Sequence, residues 1–220
     1  MASTVYLVRH AESEHNVSQD FSQHDPPLTS LGRTQAAQLV TTFPSPERIA
    51  VVVTSPLRRA IQTSLAAFSH VLGKQYFPPA SGLGMDNGAA LVLDADLQER
   101  SSMPCDTGSH PSVLDKEFLN LDLGRLHENW EAKQGPYAPD DESVRARAKR
   151  ARATLEQMAK SFTGKEKKDI VVVTHGVFMK YLSGDDDINL PKAGWKPYTF
   201  KIDGEDNEQT LLLYEHPATQ

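Results

Sequence analysis

Three short apolar runs in the chain each lead into side chains that could bind or attack a phosphoryl group. Arg9 and His10 close the first run, Arg59 comes shortly after the second, and His175 follows the third directly. A guanidinium matches phosphate oxygens with a planar fork of donors and stays charged at any working pH. A neutral imidazole can attack phosphorus and form a phosphohistidine, which water later hydrolyses. These residue types predict phosphoryl chemistry, provided that the fold brings them together.

Each apolar run is predicted to form a buried β-strand. The three runs are rich in β-branched residues and too short to cross a membrane, and they cover residues 4–9, 49–54 and 169–174. Further strands are expected at 91–93, near 197–202 and near 209–214. Helices are predicted to begin with Thr29 as N-cap, to begin at Ser55-Pro56, to cover 140–162 and to follow His175.

The alternation of strands and helices predicts an α/β fold, a three-layer αβα sandwich with a mostly parallel central sheet. Open α/β sheets bind ligands just beyond the carboxyl ends of their strands. If the three runs are parallel neighbours, Arg9, His10, Arg59 and His175 lie at one edge of the sheet. Two imidazoles and two guanidinium groups could then surround one phosphoryl group and stabilise its transition-state charge.

Length and composition limit the classes of protein that fit. The 220 residues suit a single domain over 1–220, with an insertion at about 97–137 that covers the active site. A net charge of -6 argues against nucleic acid or an anionic membrane as partner, and no apolar run is long enough to span a bilayer. One cysteine, Cys105, excludes an internal disulfide and suits a reducing compartment. We expect a small phosphorylated substrate and a cytoplasmic location, with the nucleus also open; the oligomeric state is not predicted.

Four motifs together resemble the histidine phosphatase superfamily, whose members have the phosphoglycerate-mutase-like fold. They are Leu7-Val8-Arg9-His10-Ala11-Glu12-Ser13 with Asn16, Pro27-Leu28-Thr29 with Gly32, Gln35 and Ala36, Ser55 and Leu57 with Arg59-Ala60 and Gln62-Thr63, and Val172-Val173-Thr174-His175-Gly176. The motifs occur in the family's order and extend over residues 5–182. One motif alone would be a modest signal, but four in order are specific.

The resemblance implies a role for each matching residue. His10 would be the nucleophile, and Arg9, Arg59 and His175 would bind the phosphoryl group, with Asn16 assisting and His175 also acting in catalysis. The family's proton donor is an acidic residue after the third strand, and Leu97-Gln98-Glu99 resembles that segment. Glu99 is therefore the expected donor, and Asp106 is the alternative. No histidine pair has carboxylates at ligand spacing, so neither a metal nor a cofactor is expected.

Two departures from the family pattern bear on the reaction. Ala11 replaces the commoner glycine, which we expect to be tolerated if φ is negative there. Residues 100–103 lack the run of the glycolytic mutases, which need more cations for a second phosphate. The sequence therefore predicts a metal-independent phosphomonoester hydrolase acting on a small phosphorylated metabolite. A phosphoglycerate-type mutase and a catalytically weak phosphate-binding or interaction module are the alternatives.

Other polar residues are expected to have no part in the reaction. The basic run at 145–152 alternates with alanine and predicts a solvated helix face. Cys105 has no base partner in its local sequence and is expected to be a bystander. His15 is expected to lie at the surface or to cap a helix.

Overall fold

A six-stranded sheet forms the centre of the computed structural model, which describes residues 3–201 and 212–215. The strands are β1 (Val5–Arg9), β2 (Ile49–Thr54), β3 (Ala90–Leu93), β4 (Asp169–Thr174), β5 (Trp195–Lys201) and β6 (Leu212–Glu215). Their order is β3-β2-β4-β1-β5-β6. The pairs β3·β2, β2·β4 and β4·β1 are parallel, whereas β5 pairs antiparallel with both β1 and β6. The predicted α/β fold with a mostly parallel sheet is confirmed.

Helices cover both faces of the sheet. They are α1 (Glu14–Ser18), α2 (Ser30–Thr42), α3 (Arg58–Ala67), α4 (Pro111–Glu117), α5 (Asp141–Ser161) and α6 (Gly176–Ser183). Successive strand side chains point to opposite faces, so Val8 packs with α2 and α3, whereas Leu7 packs with α5 and α6. The three layers follow from this alternation, because each face of a nearly all-apolar strand needs its own cover.

Of the predicted starts of α2 and α3, the first is confirmed by the structure and the second is wrong. Thr29 caps α2 as predicted, and its hydroxyl accepts the N–H of Gly32 at 2.9 Å. The prediction that α3 begins at Ser55-Pro56 is wrong, since α3 begins at Arg58. The Ser55 hydroxyl lies instead 2.8 Å from Nε2 of His175. The same hydroxyl also accepts the N–H of Leu57 at 3.4 Å, but Leu57, not Ser55, is the N-cap residue of α3.

Residues 97–137 contain α4 and several short 3-10 helices, at Pro104–Asp106, Leu123–Arg125 and Gly135–Tyr137. A separate apolar cluster joins them to α3, with the fully buried Trp130 against Ile61 and Leu114. Gly108 is required at this contact, because a Cβ there would lie 2.1 Å from the Trp130 ring. The segment is therefore held firmly against α3, although its sequence has no regular period.

The predicted solvated basic face of α5 is wrong for Arg147. This side chain is fully buried and donates hydrogen bonds to the carbonyl oxygens of Asp96, Gln98 and Glu99. Helical spacing puts Arg147 on the same face as Val144 and Ala148, which faces the sheet. Within the described residues, no helix is both long and apolar enough to cross a membrane.

Candidate active site

The carboxyl ends of β1, β2 and β4 meet at a cavity of about 260 Å³. Five of the six predicted site residues line it: Arg9, His10, Asn16, Arg59 and Glu99. The sixth, His175, is fully buried beside it, with its ring centroid 5.1 Å from that of His10. A larger groove of about 630 Å³, lined by residues 127–137 and Arg150, contains none of these residues. The geometry thus concentrates the candidate chemistry in the smaller cavity.

His10 is held as a neutral imidazole with one free nitrogen. Its Nδ1 lies 2.7 Å from the carbonyl oxygen of Ala11, so Nδ1 carries the proton and donates it there. Nε2 then has the lone pair that a nucleophile needs. Burial, followed by the positive charges of Arg59 and Lys192, holds the pKa of His10 well below its ordinary value.

Ala11 fits its position for two reasons. Its φ is not positive, as the sequence argument required. Its N–H donates to the Thr63 hydroxyl at 3.0 Å, and its side chain is fully buried. The Ala11 carbonyl that orients His10 is therefore fixed by α3, which explains how the chain does without a glycine there.

Each of the two guanidinium groups has a buried Nε–H without an acceptor among the described residues. Arg9 donates from Nη1 to the Leu190 carbonyl at 2.6 Å. Arg59 donates from Nη1 to the Cys105 carbonyl at 2.6 Å and from Nη2 to Asp106 at 2.8 Å. Among the described residues, neither buried Nε–H has an acceptor. A buried donor that lacks a partner is costly, and a phosphoryl oxygen could satisfy both.

Gly176 allows Arg9 to reach this position. A Cβ on residue 176 would lie 3.1 Å from Cζ and Nη2 of Arg9, closer than most such contacts. The guanidinium therefore lies directly over the first turn of α6. The glycine in the His175-Gly176 motif is explained by this close approach.

His175 precedes α6 and faces two strand ends at once. Its Nε2 lies 2.8 Å from the Ser55 hydroxyl, and its Nδ1 has no hydrogen-bond partner among the described residues. Burial, followed by the charge of Arg59, holds the pKa of His175 well below its ordinary value. The second imidazole is thus also neutral, and its buried Nδ1 is left without a hydrogen-bond partner among the described residues.

Glu99 lies at the N-terminus of α6. Its Oε1 accepts the N–H groups of Arg100 at 2.8 Å and Phe178 at 3.0 Å, and its Oε2 accepts the N–H of Val177 at 3.1 Å. Lys133 donates to the Glu99 carbonyl at 2.7 Å, beside the bond from Arg147. Backbone and carboxylate are therefore both fixed where the cavity meets α6.

Asp106, the alternative acid, lines the same cavity. Its Oδ1 accepts from Arg59, and its Oδ2 accepts from the Ser101 hydroxyl at 2.6 Å. Cys105 is buried next to it, and burial together with the Asp106 charge raises the pKa of this thiol to about 11. Residues 101–106 thus place a second carboxylate opposite Glu99.

Asn16 is part of a small polar network. Its Oδ1 accepts from the Ser13 backbone at 3.2 Å and from the Ser13 hydroxyl at 3.0 Å, and its Nδ2 lies 3.0 Å from Nε2 of His15. His15 is buried, not at the surface as expected, and its ring centroid is 6.5 Å from that of His10. Sequence reasoning missed it because no helix was predicted over Glu14–Ser18, the residues that form α1.

Lys192 also lines the cavity and was not predicted. Its loop is bonded to the end of β1, where the Arg9 N–H donates to the Gly194 carbonyl at 2.9 Å. Burial, followed by the charges of Arg9 and Arg59, lowers the pKa of Lys192 to about 8. The position of Lys192 could have been predicted only from the sheet topology. Because β5 is antiparallel to β1, the residues before β5 lie beside the carboxyl end of β1.

Comparisons with known proteins match almost the whole chain. The family model described as histidine phosphatase superfamily (branch 1) matches residues 5–76 and 79–196. A probable phosphatase of Schizosaccharomyces pombe is 29% identical over 198 residues, which cover 86% of this chain and 83% of that protein. A probable phosphoglycerate mutase of Photorhabdus laumondii is 30% identical over 186 residues, or 82% of this chain and 73% of that protein.

Among solved structures, a mycobacterial glucosyl-3-phosphoglycerate phosphatase superimposes with a TM-score of 0.57 at 17% identity. The match covers 97% of each chain. At that identity, the likeness supports the fold alone.

Proposed function

The chain belongs to branch 1 of the histidine phosphatase superfamily, and on that premise we propose that it is a metal-independent phosphomonoester hydrolase that uses His10 as nucleophile. The observation that carries the proposal is the Nε2 lone pair of His10, which lies in a cavity also lined by Arg9 and Arg59. A neutral nucleophile beside permanent cations favours attack on a dianionic phosphoryl group.

In the first step, Nε2 of His10 attacks phosphorus and the ester P–O bond breaks. Arg9 and Arg59 offer their unpartnered Nε–H donors to the phosphoryl oxygens, and His175 offers Nδ1–H in the tautomer whose Nε2 accepts from the Ser55 hydroxyl. Asn16 assists from the rim, through Nδ2. Because these donors are already in place, little reorganisation is needed as charge moves onto the equatorial oxygens.

The leaving alkoxide takes its proton from Glu99. Among the described residues, Oε2 accepts only the N–H of Val177, whereas Oε1 accepts two. Oε2 is therefore the oxygen with room for the transferable proton. In the second step, the Glu99 carboxylate takes a proton from water, and the resulting hydroxide attacks phosphorus to release inorganic phosphate and restore His10.

The substrate is a small phosphorylated metabolite. A cavity of about 260 Å³ is at the lower end of what small-molecule sites offer. Ser101, Met103 and Asp106 come from the segment 97–137 and line it, which supports the expectation that this insertion within one domain shapes the leaving-group side.

The test is hydrolysis of p-nitrophenyl phosphate and of an alkyl phosphate in the presence of EDTA. We expect activity to survive EDTA and to disappear in His10→Ala, while a matched change of the exposed His24 to Ala leaves it unchanged. In a quenched single turnover with radiolabelled substrate, wild type should carry an acid-labile phosphoryl group that His10→Ala lacks. Activity that EDTA abolishes, or that His10→Ala keeps, would contradict the proposal.

The proton donor is tested by its dependence on the leaving group. Nitrophenolate leaves without a proton and an alkoxide does not, so Glu99→Gln should lower kcat/KM, which reports the step that expels the leaving group, by about 10²-fold or more for the alkyl phosphate and far less for the aryl ester. Asp106→Asn should lower both rates similarly. The reverse pattern would make Asp106 the donor.

One observation favours the alternative function, a phosphoglycerate-type mutase. Lys192 adds to the cavity a cation that the sequence analysis did not predict. The same protein is therefore assayed for phosphoryl transfer between monophosphoglycerates, with and without a bisphosphate primer. Transfer that depends on the primer and exceeds hydrolysis would favour the mutase. Phosphate binding with no phosphoryl-enzyme would favour a binding module.

A further inference from the structure

His15, Cys105 and Asp106 come together at one side of the cavity, although they are far apart in sequence. A ring nitrogen, the thiol sulfur and a carboxylate oxygen from these residues lie within 4.8 Å of one another. All three residues also line the cavity, so the cluster is reached from solvent. The geometry points to a binding site for a soft divalent cation, specifically Zn²⁺, that would inhibit the proposed hydrolase.

The donor set suits zinc better than magnesium or calcium. Zinc takes thiolate, imidazole and carboxylate ligands at about 2.0–2.3 Å, which at tetrahedral angles puts the ligand atoms roughly 3.5 Å apart. The ligand atoms must therefore approach one another by about 1.3 Å at most, within the reach of side-chain rotation. Mg²⁺ and Ca²⁺ prefer oxygen ligands alone.

His15 is held in a tautomer that suits a metal ligand, and a metal would take the place of Asn16 at its Nε2. Nδ1 lies 3.1 Å from the Ser13 hydroxyl, and that hydroxyl donates in turn to Oδ1 of Asn16. Nδ1 therefore carries the ring proton, and Nε2 has a lone pair that accepts from Nδ2 of Asn16. A ligating histidine usually donates its other N–H to an oxygen, which fixes the tautomer.

Zinc at this cluster would act against the phosphoryl site. Asp106 would turn from Arg59 to the metal, and the Cys105 thiol would release its proton to solvent as the Zn–S bond forms. Arg59 would lose its partner, and the ion would occupy the cavity beside His10. Zn²⁺ should therefore lower hydrolysis at least tenfold at saturation, whereas Mg²⁺ should have no effect.

Cobalt titration tests the site without reliance on activity. Co²⁺ replaces Zn²⁺ in such sites and gives a thiolate-to-cobalt charge-transfer band. Because Cys105 is the only cysteine in the chain, the band can have only one intramolecular source. We expect one Co²⁺ per chain, displacement by Zn²⁺ and not by Mg²⁺, and loss of the band in Cys105→Ser.

Two variants locate the ion. His15→Gln should weaken Co²⁺ binding at least tenfold, since even loss of a partner to a metal ligand costs about 10–100-fold. His10→Ala should keep the band, because His10 is not a ligand, and this control holds even if the proposed phosphatase activity is absent. No band in wild type, an unchanged affinity in His15→Gln, or loss of binding in His10→Ala would overturn the site.

Inhibition is measured separately, and this arm alone rests on the proposed function. Each variant's rate is normalised to its own rate with EDTA. Cys105→Ser should need at least tenfold more Zn²⁺ than wild type for half inhibition. Equal sensitivity of the two proteins would place the inhibitory ion elsewhere and refute the proposed regulation.

Discussion

Arg147 is predicted to act at a distance from the cavity by fixing the backbone that presents Glu99. It donates to the carbonyl oxygens of Asp96 at 2.7 Å, Gln98 at 2.6 Å and Glu99 at 3.1 Å. Its guanidinium carbon also lies 4.2 Å from the centre of the Phe178 ring. Arg147→Met keeps the packing on Phe178 and removes all three donors.

The loss of stability can be estimated from these contacts. A buried carbonyl left without a donor costs about 1–3 kcal/mol, and the Glu99 carbonyl keeps its bond from Lys133. Relief of guanidinium burial offsets part of the loss, so we expect Arg147→Met to lower the free energy of unfolding by about 2–4 kcal/mol. For a chain of this length, that corresponds to a fall of roughly 4–16 °C in Tm.

Arg150→Met is the matched control on the same helix. Arg150 pairs with the Asp96 carboxylate at 2.6 Å but is 45% exposed, so its loss should cost at most about 1 kcal/mol. Both variants are compared by thermal unfolding and by kcat/KM with aryl and alkyl phosphates. Arg147→Met should lower kcat/KM at least tenfold more for the alkyl phosphate, because in the proposed mechanism only that ester needs a proton from Glu99 as its leaving group departs. Equal unfolding temperatures of the two variants, or equal losses with both esters, would refute the reasoning.

Two further predictions concern the cations of the cavity. The Lys192 pKa of about 8 means that its charge is present below that pH and is lost above it. The kcat/KM of wild type should therefore fall as pH rises through about 8, whereas Lys192→Met should be lower at pH 7 and lack this fall; parallel pH profiles would contradict the role. Gly176→Ala should displace the Arg9 guanidinium and lower kcat/KM roughly tenfold, whereas Gly124→Ala, with its nearest contact at 3.4 Å, should not change it. Equal rates for both alanine variants would show that Arg9 accommodates the extra methyl group.

The centre of the sheet was predictable because β1, β2 and β4 are buried on both faces and therefore appear as unbroken apolar runs. Residues attached directly to those runs were predictable for the same reason. Arg9 and His10 close β1, and His175 follows β4, so their place at one edge depends only on parallel neighbours. β1 and β4 are indeed parallel neighbours in the sheet.

Side chains delivered by loops were harder to predict, because their position depends on contacts distant in sequence. His15 is buried only because Asn16 and Ser13 fold α1 back over the cavity. Lys192 is in place because its loop bonds to the end of β1. Arg147 belongs to a basic run whose composition predicts a solvated helix face. Its burial is explained by the hydrogen bonds that it donates to three backbone carbonyl oxygens.

The division between strand ends and loops is also a division of chemical roles. Strand ends provide His10, Arg9 and His175, which in the proposed mechanism face the phosphoryl group, a part common to every phosphomonoester. Loops provide Met103 and Lys192 on the remaining sides of the cavity, where leaving groups differ. A rigid sheet edge holds the reacting atoms to the tolerance that catalysis needs, while loops can vary without disturbing it. Substrate choice in this chain should therefore change with exchanges of Met103 and Lys192, which hold neither arginine in place, and the phosphohistidine step should persist through them.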